Sequence, residues 1–227
     1  MRRLPHPALR ALLLAAGLVV MAFGVAFSIK AELGTSPISS LPYVLSRFTP
    51  LSVGTATIAL HITLILLQIL LLRRDYQPLQ LLQLPVALLF GVLTDIAIAA
   101  LSALSCSGYF IRWVFCAIGI LLVGLGVSLE VLAGLVTLAG EGMALAICRA
   151  FSARFAAVKV GFDLSLVLIA SLLSLLFLGQ LAGVREGTAA AALCVGLCAK
   201  GISRLLQPLA EFLHRMNPAP LNARSHG

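Results

Sequence analysis

Six long apolar runs alternate with short polar breaks along the chain. They cover about Ala8–Ile29, Val53–Leu72, Leu79–Leu104, Phe110–Leu132, Val158–Leu178 and Thr188–Leu206. A helix of roughly 20 residues crosses a hydrocarbon core of about 30 Å, and each run is long enough to do so. The runs are continuous and do not alternate with period two, which argues against a transmembrane β-barrel. Their Leu and Ala content favours helix. Two further segments are shorter: Pro37–Phe48, inside "AELGTSPISSLPYVLSRFTPLS", and Gly140–Phe151, "GEGMALAICRAF". At about 12 residues each reaches only ~18 Å as a helix. They read as half-length helices, re-entrant or lying at the membrane surface.

Composition agrees with this pattern. The 227 residues are 61% hydrophobic and only 11% charged. A soluble domain of this size cannot hide so much apolar surface, whereas a helical membrane protein has lipid as its solvent. The expected fold is an all-α polytopic transmembrane bundle in one domain, with the lipid bilayer as its main partner. The formal charge is +8, but the basic residues fall mostly in loops and tails, and no basic face interleaved with aromatics points to nucleic acid. The five cysteines show no C-x-x-C spacing, so neither a disulfide framework nor a zinc site is expected. The start, "MRRLPHPALRALLLAAGLVV", mimics a signal peptide, yet no small-x-small cleavage site follows it. It reads as a retained first span.

Arg2, Arg3 and Arg10 precede that span and place the N-terminus in the cytoplasm. Six crossings follow if the short segments do not cross, eight if both do. Both arrangements leave equal numbers of outside charges and both termini inside, so charge does not choose between them. Length selects six spans plus two half-helices.

The order long, short, long, long occurs twice, with repeat one at about 8–105, repeat two at about 110–206, and a polar cytoplasmic tail over 207–227. "GVAFSIKAELGTSPISSLPYVLSRF" lies over "GVSLEVLAGLVTLAGEGMALAICRA", so that Gly24 meets Gly126, Thr35 meets Thr137 and Arg47 meets Arg149. After a small shift Gly91 meets Gly196 and Asp95 meets Lys200. Three crossings per repeat make the repeats inverted, an arrangement common among transporters.

"AELGTSPISSLPYVLS" followed by "LSVGTATIAL", together with "LLQLPVALLFGVLTD", resembles the YczE/YyaS/YitT family of bacterial integral membrane proteins. In the second half "AGEGMALAICRAF" and "VKVGFDLSLVLIASLL" resemble the matching family pattern. The resemblance spans about Gly17 to Leu206. It implies a multi-pass protein of the bacterial inner membrane and brings no substrate with it.

Polar residues within the apolar runs are the candidates for chemistry. Thr35 or Ser36 is a natural N-cap, with Pro37 at the first helical position. Such an N-terminus can receive an anion or carboxylate, helped by Ser39 and Ser40, or it can simply be an ordinary capped end. Pro42 is expected to bend the helix or fray its early turn. Asp95 sits mid-span, either as an ion or proton relay or paired with Lys200, its repeat counterpart. Glu130 reads as reaching the interface. Glu141, flanked by glycines, stands where the second repeat lacks the hydroxyls of the first. Asp163 lies one turn after Lys159 and can pair with it. His61 is hydrogen-bonded filler or a proton carrier.

No H-E-x-x-H, G-x-S-x-G or P-loop occurs, so no catalytic residues, cofactor or metal ligands are expected and the chain does not read as an enzyme. Two readings stand. One is a small-solute transporter or permease with its site between the short helices (Thr35, Ser36, Ser39, Ser40, Glu141). The other is a membrane scaffold or regulator acting through a partner, for which the glycine faces at Gly17/Gly24 and Gly119/Gly124/Gly126 are suited. Either is compatible with a homo-oligomer.

Overall fold

The computed structural model describes residues 7–208 and is built of eight α-helices with no strand among them. They are α1 (Pro7–Ala31), α2 (Pro37–Phe48), α3 (Val53–Leu72), α4 (Gln83–Ala100), α5 (Tyr109–Ala133), α6 (Ala139–Phe151), α7 (Phe155–Leu178) and α8 (Glu186–Leu205). All but α2 and α6 are long and apolar enough to cross a membrane. The tail expected from 207 onward lies outside the described residues from 209.

The third span, Pro78–Ala100, starts where expected and ends short of Leu104. A 3-10 turn (Arg73–Asp75) follows α3, and a second (Pro78–Leu82) opens the span ahead of α4. Pro85 explains why the α-helix proper starts only at Gln83. Its missing N–H is tolerated only in the first turn of a helix, where amides have no partner anyway. In α2 the helix runs unbroken through Pro42 to Phe48, and Pro42 is buried.

The centre of the bundle is the crossing of α1 and α5, the most extensive helix contact in the fold. It is a glycine crossing. A Cβ at Gly17 would sit 3.0 Å from the Gly126 carbonyl oxygen, and one at Gly24 would sit 2.9 Å from that of Gly119. With lipid outside, helices gain little from hydrophobicity toward one another and associate through close backbone packing. Leu18, Met21, Ala22, Val25 and Val123 fill the seam and are buried. Around it α4 packs on α1 and α8 on α5, while α7 packs on α2 and α3 on α6. α3 and α4 form a second glycine crossing: an added Cβ at Gly91 would lie 2.7 Å from the Gly54 carbonyl oxygen.

Polar contacts gather the helix ends at two levels. At one, Arg10 Nη1 at the start of α1 donates to the Ala133 carbonyl at the end of α5 (2.9 Å). Gln68, late in α3, donates to Gln83 Oε1 at the start of α4 (3.2 Å) and to the Ala139 carbonyl (3.1 Å). At the other, Lys30 Nζ donates to the Ser102 and Leu104 carbonyls, and Arg112 pairs with Glu32 at 2.9 Å. Arg185 joins this second level through the Glu32 carbonyl, and the Thr35 amide donates to the Gly183 carbonyl. Both short helices have their N-termini turned into the bundle, where the Ile38 side chain fills the space beside Gly140.

Two measurements check this arrangement. Single cysteines at Arg74 and Ala153 should react with an impermeant thiol reagent from one side of the membrane, and those at Ser105 and Gln180 from the other. Gly91→Leu should destabilise the protein in detergent by about 1–3 kcal/mol or more through overpacking, whereas Gly201→Leu, whose added Cβ would meet nothing within 4 Å, should leave its melting temperature unchanged.

Candidate functional site

The two short helices point their N-termini at one cavity of about 220 Å3. Ser36, Pro37 and Ile38 of the α2 end line it, with Leu138, Gly140 and Glu141 of the α6 end. Met21, Val127 and Val195, from the middle of α1, α5 and α8, place it deep in the bundle. Its charged lining is Glu130, Glu141, Lys159 and Asp163.

Local sequence explains why these groups meet. Ser36 is the N-cap of α2 in extended conformation, with Pro37 at the first helical position. Its hydroxyl donates to Ser39 Oγ (3.0 Å), while its carbonyl accepts the amides of Ser39 and Ser40. On the other side α5 ends with Gly134 in the left-handed region (φ 58°), a conformation that suits glycine and turns the chain back toward α6. That turn lets Glu130, in the last turn of α5, accept a hydrogen bond from the Leu138 amide (2.5 Å). A carboxylate thus caps the α6 N-terminus from another helix, satisfying a free amide and opposing the positive end of the dipole.

Glu130 is 1% exposed. The expectation that it reaches the interface is therefore corrected: the returning chain covers it. It also borders a second, more open recess of about 330 Å3, lined by Gln77, Gln80, Gln83, Thr137 and Gly142. It stands between the two spaces. Sequence reasoning set a functional role for it second to reaching the interface, because its position near a helix end carries no sign of the loop that folds over it.

Of the residues singled out in the sequence, Ser36, Glu141 and Asp163 line the central cavity. Asp163 takes the Lys159 ammonium at 2.5 Å along one face of α7. Thr35 binds the Gly183 carbonyl, and the Ser40 hydroxyl donates to the Pro37 carbonyl (2.7 Å). Ser39 is engaged with Ser36, and neither it nor Thr35 or Ser40 is part of the cavity lining. His61 is 1% exposed and stacks on Phe90 with ring centroids 6.0 Å apart, away from the cavity lining.

Asp95 is not paired with Lys200. One carboxylate oxygen accepts from Ser52 Oγ (2.6 Å) and the other from the Gly54 amide (2.7 Å), so the α4 side chain caps the N-terminus of α3. Lys200 is exposed. The self-alignment put the two residues at equivalent places without putting them in contact. The Asp95 cap and the Glu130 cap follow one chemical plan, a carboxylate from a long helix closing the N-terminus of another.

Among the described residues no cluster of three or more His, Cys, Asp or Glu has the spacing of a metal site. The fold and its buried polar centre define a multi-pass helical membrane protein. The chain belongs to the DUF6198 family, a family of unknown function, whose model matches residues 8–204. No curated protein and no solved structure matches it.

Asp95→Asn keeps the shape of the cap and removes its charge. It should destabilise the protein by about 1–2 kcal/mol, given that hydrogen bonds to charged groups contribute roughly 1.5–3 kcal/mol. Thermal unfolding in detergent, compared with Lys200→Gln as an unchanged control, checks this.

Proposed function

We propose that this protein is a transporter or permease for a small solute, with no enzymatic activity, and that the central cavity between the N-termini of α2 and α6 is its solute site. The observation that carries the reading is the concentration of charge at that place. A cavity deep in a membrane bundle holds three carboxylates (Glu130, Glu141, Asp163) against one ammonium, Lys159. Ionisable groups at such depth are costly and are typical of solute and ion pathways. Lys159 makes its ion pair with Asp163, and Glu141 lines the same cavity without an ion pair of its own. A carboxylate without an ion pair in such surroundings calls for a proton or a cation. The lining therefore favours a positively charged or proton-coupled solute over an anion, although helix N-termini alone suit an anion. Glu130, shared by the cavity and the recess, marks the route between them.

The packing order supports an inverted duplication. α1 on α4 matches α5 on α8, α2 on α7 matches α6 on α3, and α1 on α5 is the contact through which such a pseudo-two-fold axis passes. In this reading the membrane is a bacterial inner membrane, as the resemblance to the YczE/YyaS/YitT family implies, and the basic residues ahead of α1 keep both termini in the cytoplasm.

Flux into proteoliposomes tests the proposal, with radiolabelled methylammonium and ethylammonium as probes and a pH-sensitive dye inside. Saturable uptake is expected, reduced about tenfold or more in Glu141→Gln, in line with the loss of a charge-assisted contact. Ser40→Ala should transport normally. Absence of flux for every probe, combined with co-purification of a stoichiometric protein partner, would favour the scaffold reading instead.

A further inference from the structure

The two halves of the fold differ in one respect that bears on how the cavity is reached. In the first half, α3 and α4 cross at Gly54 and Gly91 and are fastened by Asp95 on Ser52 and the Gly54 amide. Their counterparts α7 and α8 form no comparable contact. The mid-helix glycines on those helices are unused: a Cβ at Gly161 or Gly196 would meet nothing within 4 Å, whereas Gly187 at the start of α8 packs on Leu33 rather than on α7. Lys200 takes the place of Asp95 in the alignment, and an ammonium has only donors, so it cannot close a helix N-terminus as a carboxylate does. The seam between α7 and α8 is thus unfastened by composition as well as by geometry.

That seam leads into the central cavity. Lys159 and Asp163 of α7 form one side of the cavity lining, and Ala192, Val195 and Gly196 of α8 form the other. Ala192 and Gly196 are at once cavity lining and exposed surface. The outer faces of both helices are apolar and open, with Leu164 at 56% and Leu193 at 72% exposure. At this depth the surroundings are acyl chains rather than water. The opening is therefore an apolar slot with a charged, carboxylate-rich inner end.

We propose that the cavity is loaded sideways from the bilayer through the gap between α7 and α8, and that its occupant is a single-chain amphiphile with a cationic head. This rests on the reading of the central cavity as the solute site and names the class of solute. The head meets Glu141 and Glu130, neither of which forms an ion pair with Lys159, and the alkyl chain lies along Val195 and Gly196 into the lipid. Small side chains on α8 give the chain room. A purely water-borne cation would need no gap at membrane depth, and an anionic amphiphile would be repelled by the carboxylates.

The test uses the full-length protein in phosphatidylcholine nanodiscs with dodecylammonium carrying a photoreactive diazirine. Ethylammonium and dodecanoate are competitors, and labelled residues are mapped by mass spectrometry. Saturable labelling of α7 and α8 is expected, competed by unlabelled dodecylammonium far better than by ethylammonium and not by dodecanoate. Gly196→Leu, whose added Cβ meets nothing within 4 Å and whose bulk narrows the gap, should weaken binding about tenfold, as overpacking of a binding slot does. Gly201→Leu, outside the lining, should bind normally. Unchanged affinity in Gly196→Leu, equal competition by ethylammonium, or competition by dodecanoate would each overturn the lateral amphiphile while leaving a solute site in place. Disulfide formation between two copies carrying Gly196→Cys in a cysteine-free background would also overturn it, because the gap would then be covered by a second protomer. If neither ammonium binds and Glu141→Gln alters nothing, the solute-site reading falls as well.

Discussion

The rest of the structure depends on how closely α1 and α5 approach each other. Lipid offers apolar side chains the same comfort that a neighbouring helix does, so two apolar helices stay together only if their backbones come near enough for many weak contacts. Gly17, Gly24, Gly119 and Gly126 permit that approach. Once α1 and α5 are joined, the free side of each is taken by one long helix, α4 on α1 and α8 on α5. Beside this four-helix core α2 and α6 pack on α7 and α3 and bring their N-termini to its middle. A larger side chain at the crossing would part the helices that the cavity is built between.

The short helices solve a second constraint, the free amides of a helix that starts inside the bundle. Water is scarce there, and an unpaired amide is expensive. α2 meets the constraint with proline, which has no N–H to satisfy, and with serine at the cap. α6 meets it with a carboxylate borrowed from α5. α3 is closed in the same manner by Asp95 of α4. Acidic residues in this fold therefore do structural work at two helix ends, and only Glu130 does so at the edge of the cavity.

Much of this was legible in the sequence. Run length gave the six spans. Pro37 with Ser36 gave the start of α2 to the residue, because proline and a hydroxyl cap are strong local signals. The Lys159–Asp163 pair followed from its spacing within one helix. Contacts between distant residues were not legible. Asp95 is recognised by Ser52 and Gly54, some forty positions earlier, and nothing local announces them; symmetry pointed to Lys200 instead. Glu130 was hidden for a similar reason, since its burial is created by the turn at Gly134 rather than by its own neighbours. The lateral gap was illegible too, because it consists of a contact that one half makes and the other lacks.

The hydrogen bond from Arg10 to the Ala133 carbonyl joins positions 123 apart in the chain. Its consequence concerns the order of synthesis. α1 emerges before its principal partner α5, and three other α-helices are made between them. During that interval the glycine face of α1 is without its mate, and Arg10 is without the carbonyl it will bind. The nascent protein thus holds its first helix in waiting, and the core closes only when the second half begins to arrive. A chain interrupted before α5 would leave α1 with α4 as its one long-helix neighbour, so the first half is an incomplete body rather than a small version of the whole.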